Sequence, residues 1–152
     1  MTLRIDDILS PTHTLVDAEV SSKKKLLEFL AGLVAESISD SSADEIYERL
    51  LGRERLGSTG IGEGIAIPHC RLPQCEQAFG VLLRLAEPID FDAIDGKPVD
   101  LVFALLVPEE ATEEHLQVLA MLARNFNEES YRSALRCAPD NRQLFQRAAA
   151  GT

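Results

Sequence analysis

A chain of 152 residues, 45% hydrophobic and 26% charged, has the size and composition of one globular domain that buries its core without staples. Its formal net charge of -10 argues against nucleic acid and anionic membrane surfaces as partners, and it suits a basic partner or plain solubility. No uncharged apolar run approaches the ~18 residues of a membrane span, and the acids Asp6 and Asp7 stand where a signal peptide would be apolar, so a cytoplasmic protein without membrane insertion is expected.

Arg4 to Leu9 reads as a short helical turn closed by Ser10-Pro11, and Thr12 to Val16 alternates like a short strand. His13, among threonines beside a turn, reads as an exposed histidine. Ser21-Ser22 caps a helix whose apolar face is Leu26, Leu27, Leu30, Leu33, Val34 and Ile38. Lys23-Lys24-Lys25 puts positive charge in that helix's first turn, against the helix dipole, which reads as a solvated face or as a docking patch for an acidic partner. Ser42 to Glu45 is a capping box that opens the next helix, with Ile46, Tyr47, Leu50 and Leu51 inward and Arg53-Glu54-Arg55-Leu56 at its end.

The stretch from Gly57 to His69 carries glycines at 57, 60, 62 and 64, then Ile65-Ala66-Ile67, Pro68 and His69. The glycines let the backbone bend tightly and approach a ligand. Pro68 forces Ile67 into an extended conformation and fixes its own φ, so His69 leaves a stiff stub that points its imidazole one way. A phosphate-cradling loop is excluded because no Lys-Ser/Thr follows a glycine pair, and a dinucleotide fingerprint is excluded because Ile65 stands where its third glycine would be. Two readings remain open from the residues: a nucleophilic His69 that accepts a phosphoryl group, or a turn-rich connection with a structural histidine.

Cys70, Cys75 and Cys137 are an odd set that reads as free thiols. His69-Cys70 with Cys75 lacks a fourth ligand at zinc spacing, so no metal and no cofactor is expected. Cys70 reads as a small filler at the rim of the site, with redox sensitivity as the other possibility.

Arg71 to Gln74 is a loop, Ala78 to Leu85 a strand, Glu87-Pro88 a turn, and Asp95 to Pro98 another turn. Val99 to Val107 is a near-continuous apolar strand of the kind buried on both faces, which calls for helices on both sides of a sheet. Thr112 caps a helix with Leu116, Leu119, Leu122, Ala123 and Phe126 inward, and this places His115 in its first turn beyond the carboxyl end of the central strand. Free N–H groups there suit an anion, and the positive potential is expected to lower the pKa of His115; an idle exposed histidine is the bland alternative. Asn127 to Cys137 is another helix, halted by Pro139, and Asp140 to Gln143 opens the last one. No repeat or linker interrupts residues 1–152, and the result is a single α/β domain with a mixed β-sheet flanked by helices on both faces.

Gly57-Ser58-Thr59-Gly60-Ile61-Gly62, followed by Gly64-Ile65-Ala66-Ile67-Pro68-His69, resembles the active-site motif of the mannitol/fructose-class enzyme IIA domains of the bacterial phosphotransferase system. The Gly-Ser-Thr-Gly-Ile-Gly wording is most similar to the nitrogen-regulatory branch, and the resemblance runs from Ile8-Leu9-Ser10-Pro11 to the last helix. It implies the phosphotransferase/anion-transport-protein-like fold and three site residues: His69 as the phosphorylated nucleophile, His115 as the second, phosphate-stabilising histidine, and Arg53 as the phosphate-neutralising arginine. It implies Glu63 at the variable polar loop position, near the incoming phosphate, with Thr59, Gly62 and Gly64 as binding positions of the loop. Cys70 stands where many members have glycine.

The implied donor is a small phosphocarrier protein of the HPr type, and the implied role is a regulator whose phosphorylation state controls target proteins such as transporters or sensor kinases. Two alternatives stay open: a sugar-class enzyme IIA that passes phosphate to a separate sugar-transport component, and a catalytically silent interaction module of the same fold.

Overall fold

The computed structural model describes residues 4–110 and 113–151, the side chain of Glu114 excepted. The cap read at Thr112 lies outside the described residues.

The architecture grows from one strand. Val99–Val107 (β6) is apolar from Leu101 onward, and its side chains alternate between two cores. Val102, Ala104 and Leu106 join one buried cluster, while Leu101, Phe103, Leu105 and Val107 join the other. A strand buried on both sides must sit inside a sheet covered on both faces. Its neighbours are Phe79–Ile89 (β5), antiparallel, and the short strands Ile65–Ala66 (β3) and His69–Arg71 (β4), both parallel to it. Thr14–Ala18 (β1) lies parallel to β5, and Gly60–Gly62 (β2) lies antiparallel to β3. The sheet is six-stranded and mixed, in the order β1-β5-β6-β3-β2, with β4 continuing the β3 line along β6.

Lys23–Ser37 (α2) and Ala43–Leu56 (α3) cover the first face through Leu26, Leu27, Leu30, Val34, Ile46 and Leu50. Ile5–Ile8 (α1), Glu113–Phe126 (α4), Glu129–Arg136 (α5) and Asn141–Ala149 (α6) cover the second. The caps are local and act as the sequence suggests. Ser22 Oγ accepts from Lys25 N at 3.1 Å, Ser42 Oγ from Glu45 N at 3.1 Å, and Asp140 Oδ1 from Gln143 N at 2.8 Å. Among the described residues no helix is long and apolar enough to cross a membrane.

Several local readings give way to tertiary pairing. The strand expected to end at Leu85 runs on through Pro88 to Ile89, with a register shift between Arg84 and Ile89. Proline is tolerated there because a shifted register leaves its missing N–H without a ladder partner. Pro11–His13 is a 3-10 turn, so strand β1 starts two residues later than its alternation suggests. His13 is engaged rather than idle: Ser10 Oγ and Ser37 Oγ lie 2.9 and 2.8 Å from its ring nitrogens, and its ring packs 4.7 Å from Phe79. The lysine run is not a uniform patch either. Lys23 Nζ lies 2.7 Å from Glu54 Oε2 and 4.7 Å above the Phe91 ring.

Candidate active site

His69 is held by the strand it opens. β4 pairs with β6 in the register His69↔Leu105, and Leu105 N donates to the Pro68 carbonyl at 2.9 Å. The Pro68 break between β3 and β4 therefore keeps the chain on the same line along β6, and the backbone at His69 has little freedom.

The side chain is fixed just as tightly. His69 Nδ1 lies 2.8 Å from the Ile67 carbonyl, an oxygen that can only accept, so Nδ1 carries the proton. In the neutral ring Nε2 then keeps its lone pair, and it accepts from Arg53 Nε at 3.2 Å. Half-burial lowers the pKa of His69 below 6.5, the Ile67 hydrogen bond opposes that shift, and Arg53 reinforces it. The ring is thus a neutral imidazole near pH 7 with one nitrogen committed and the other available.

Arg53 sits in the last turn of α3, and its Nη1 donates to the Gly57 carbonyl at 2.8 Å. The next residue, Glu54, is buried and holds the following loop: its Oε1 accepts from Thr59 N at 3.0 Å and from Thr59 Oγ1. Ile67 N donates to the Thr59 carbonyl at 2.9 Å, which ties the loop back to the histidine stub. Thr59 is therefore a buried strut of the loop, away from the cleft lining.

His115 enters from α4, with its ring centroid 5.5 Å from that of His69. Its Nδ1 is buried with no hydrogen-bond partner among the described residues. Its pKa is lowered as the helix-terminus argument expects, but the leading cause is burial, followed by His69 and Arg71. Arg53, His69 and His115 line one open cleft of about 360 Å³. A larger hollow of about 550 Å³, lined among others by Ser37, Asp40, Gln74 and Phe79, has no histidine or arginine in its walls.

The other loop positions do not meet the cleft. Glu63, with φ 57°, sits at the tip of the β2–β3 hairpin; its N donates to Asp95 Oδ2 at 2.9 Å, and its carboxylate lies 3.9 Å from Lys97 Nζ. Its carbonyl accepts from Arg136 Nη2 at 2.6 Å. Gly62 and Gly64 flank this tip with φ of 102° and 81°, the left-handed region that glycine enters without strain. Neither glycine nor Glu63 lines the cleft, which corrects the expectation that Glu63 stands beside an incoming phosphate. Arg55 is exposed and outside it as well.

Three charged cleft residues escape the sequence reading: Arg49, one turn before Arg53, Arg71, two residues after His69, and Glu109 beyond β6. The i, i+4 spacing of Arg49 and Arg53 on α3 is a signal that was there to read. Cys70 also lines the cleft, but burial pushes its thiol up to about 12, which removes the thiolate that redox sensitivity needs.

Two neutral imidazoles with three guanidiniums around an open cleft make a site for an anionic group at a nitrogen nucleophile. The family model for the phosphoenolpyruvate-dependent sugar phosphotransferase system, EIIA 2, matches residues 7–149. The "Nitrogen regulatory protein" of Pseudomonas aeruginosa is 49% identical over 144 residues, 95% of this chain and 94% of that protein. The crystal structure of nitrogen regulatory protein IIA-Ntr from Neisseria meningitidis superposes with a TM-score of 0.90 at 45% identity, covering 95% of this chain and 98% of that one. IIA mannitol from Escherichia coli shares the fold at a TM-score of 0.76 and 21% identity, covering 93% and 99% of the two chains. The chain belongs to the EIIA 2 family of the phosphotransferase system, and within it to the nitrogen-regulatory type. It is a phosphoryl-transfer component with a regulatory role.

Proposed function

We propose that His69 is the phosphoacceptor, that an HPr-type phosphocarrier is its donor, and that the phosphorylated and unphosphorylated forms regulate target proteins by binding. The observation that carries this reading is the commitment of His69 Nδ1 to the Ile67 carbonyl, which leaves Nε2 as the nucleophile beside Arg53. The Nε2 lone pair attacks the phosphorus of the carrier's phosphohistidine. The new P–N bond forms at His69 as the old one breaks, and the carrier's nitrogen regains its electron pair. No proton leaves His69, because Nδ1–H stays on the carbonyl throughout.

The guanidinium of Arg53 is already within reach of Nε2, so it turns from the ring nitrogen to the arriving phosphoryl oxygens, where a two-pronged contact is available. His115 approaches from the side of α4 and supports the same charge. The work of the site is positioning and charge stabilisation, which is what a loose phosphoryl transition state needs.

The test is incubation with phosphorylated carrier. An acid-labile phosphate that maps to His69, and that His69→Ala loses while its circular dichroism stays native, supports the reading. No phosphate on the wild type supports the silent interaction module. Onward transfer to a purified sugar-specific component supports the sugar-class alternative.

A further inference from the structure

Arg49 and Glu109 make a contact that the transfer step does not use. Arg49 lines the same cleft as His69. Its Nη1 donates to Glu109 Oε2 at 3.3 Å and to the Arg71 carbonyl at 3.1 Å, while its Nε lies 3.5 Å from Glu45 Oε2. From the other side Arg71 Nη1 donates to the Glu109 carbonyl at 2.7 Å. Glu109 belongs to the segment that leaves β6 toward α4, the helix of His115. It is thus clasped by two arginines, from α3 and β4, and among the described residues its carboxylate is the single acidic side chain in the cleft lining.

A carboxylate there has a sign opposite to the needs of an anion site. A phosphoryl group on His69 brings a charge of about -1.5 to -2 into the cleft, repels Glu109 and competes with it for Arg49. The phosphate has the advantage: it carries more charge and three acceptor oxygens. The existing pair is easily broken, since its side chains are 34% and 53% exposed. Glu45 keeps hold of the other edge of the guanidinium, so Arg49 pivots rather than swinging free.

We propose that Arg49 and Glu109 form a charge latch across the mouth of the cleft, closed in the unphosphorylated protein and opened when phosphate on His69 takes over the Arg49 guanidinium. The latch rests on the reading of His69 as the phosphoacceptor. Opening releases the Glu109 side chain from Arg49 and leaves its backbone carbonyl held by Arg71. The two phosphorylation states then present different rims to a protein partner, which gives a regulator its two faces.

The test uses protein labelled with 13C at glutamate and 15N at arginine, followed by NMR before and after incubation with phosphorylated HPr-type carrier. Phosphorus NMR of the same sample reports phosphohistidine. With phosphohistidine present, the Glu109 carboxyl carbon should move to the position it takes in the Arg49→Ala variant, and the Arg49 Nε resonance should shift. Glu109→Gln, an exposed change that leaves the fold alone, should take up phosphate about two- to fivefold faster at low salt, an advantage that high salt removes. Phosphohistidine with unmoved Arg49 and Glu109 resonances overturns the latch and leaves the His69 reading standing, as does an uptake rate for Glu109→Gln equal to that of the wild type. A missing phosphohistidine signal overturns the His69 reading, and the latch falls with it.

Discussion

Glu54→Ala is expected to damage both stability and transfer, although Glu54 does not line the cleft. The Glu54 side chain is 2% exposed, accepts from Thr59 N at 3.0 Å and from Thr59 Oγ1, and pairs with Lys23 Nζ at 2.7 Å. Removing it leaves the N–H of Thr59, a residue only 4% exposed, without a partner, which costs about 1–3 kcal/mol. It also strips Lys23 of its main counter-charge. Breaking a buried pair costs about 3–5 kcal/mol, but the Lys23 side chain is 22% exposed and still has Asp92 at 3.7 Å, so the lower part of that range applies. Together the two losses come to about 4–6 kcal/mol, a large share of the ~5–15 kcal/mol that holds a typical domain. Glu54→Gln keeps an acceptor for Thr59 and should lose about 1–2 kcal/mol. Urea titration followed by circular dichroism measures both, with an unchanged slope expected. Transfer should slow in parallel, because Arg53 is braced on the Gly57 carbonyl of the loop that Glu54 holds. If Glu54→Ala unfolds within about 1 kcal/mol of the wild type, the carboxylate is not a strut of the Thr59 loop.

Arg53→Ala should slow phosphate uptake on the order of a hundredfold, as loss of a preorganised charge contact does, while Arg55→Ala should leave uptake unchanged; stopped transfer assays with labelled carrier separate the two. Acid should destabilise the protein through its histidines. His13, His69 and His115 all have pKa values lowered from 6.5, chiefly by burial, so the unfolded chain binds more protons than the folded one as pH falls through 6.5 and below. Stability contributed by the neutral rings is full above 6.5 and is lost on acidification, so the urea midpoint should drop between about pH 7 and about pH 5.5; a midpoint that rises over that interval contradicts the burial of these rings.

Much of this was legible along the chain because its causes are local. The apolar run Val99–Val107 announces a strand buried on both faces, since a helix or an edge strand would alternate with polar residues. Ser22, Ser42 and Asp140 cap helices within three residues of themselves. Pro68 stiffens the approach to His69 by the geometry of its own ring. The family resemblance carried by the glycine motif implies Arg53, His69 and His115 as site residues, and the folded chain puts all three in one cleft.

What only tertiary structure decided concerns side chains whose partners lie far off in sequence. Glu63 looks like a cleft residue from its motif, yet the hairpin turn at Gly62 and Gly64 carries it to Asp95, Lys97 and Arg136. Lys23 looks like one third of a solvated run, yet it reaches Glu54 across the α2–α3 packing. Arg49, Arg71 and Glu109 converge because β4 lies parallel to β6 in a register that brings Arg71 beside Val107, two residues before Glu109. Caps, periodicity and fixed φ act over one or two turns of chain, so the sequence by itself determines elements and their inward faces. Charge pairing across the cleft depends on strand order and register, and these are set by the packing of the whole sheet.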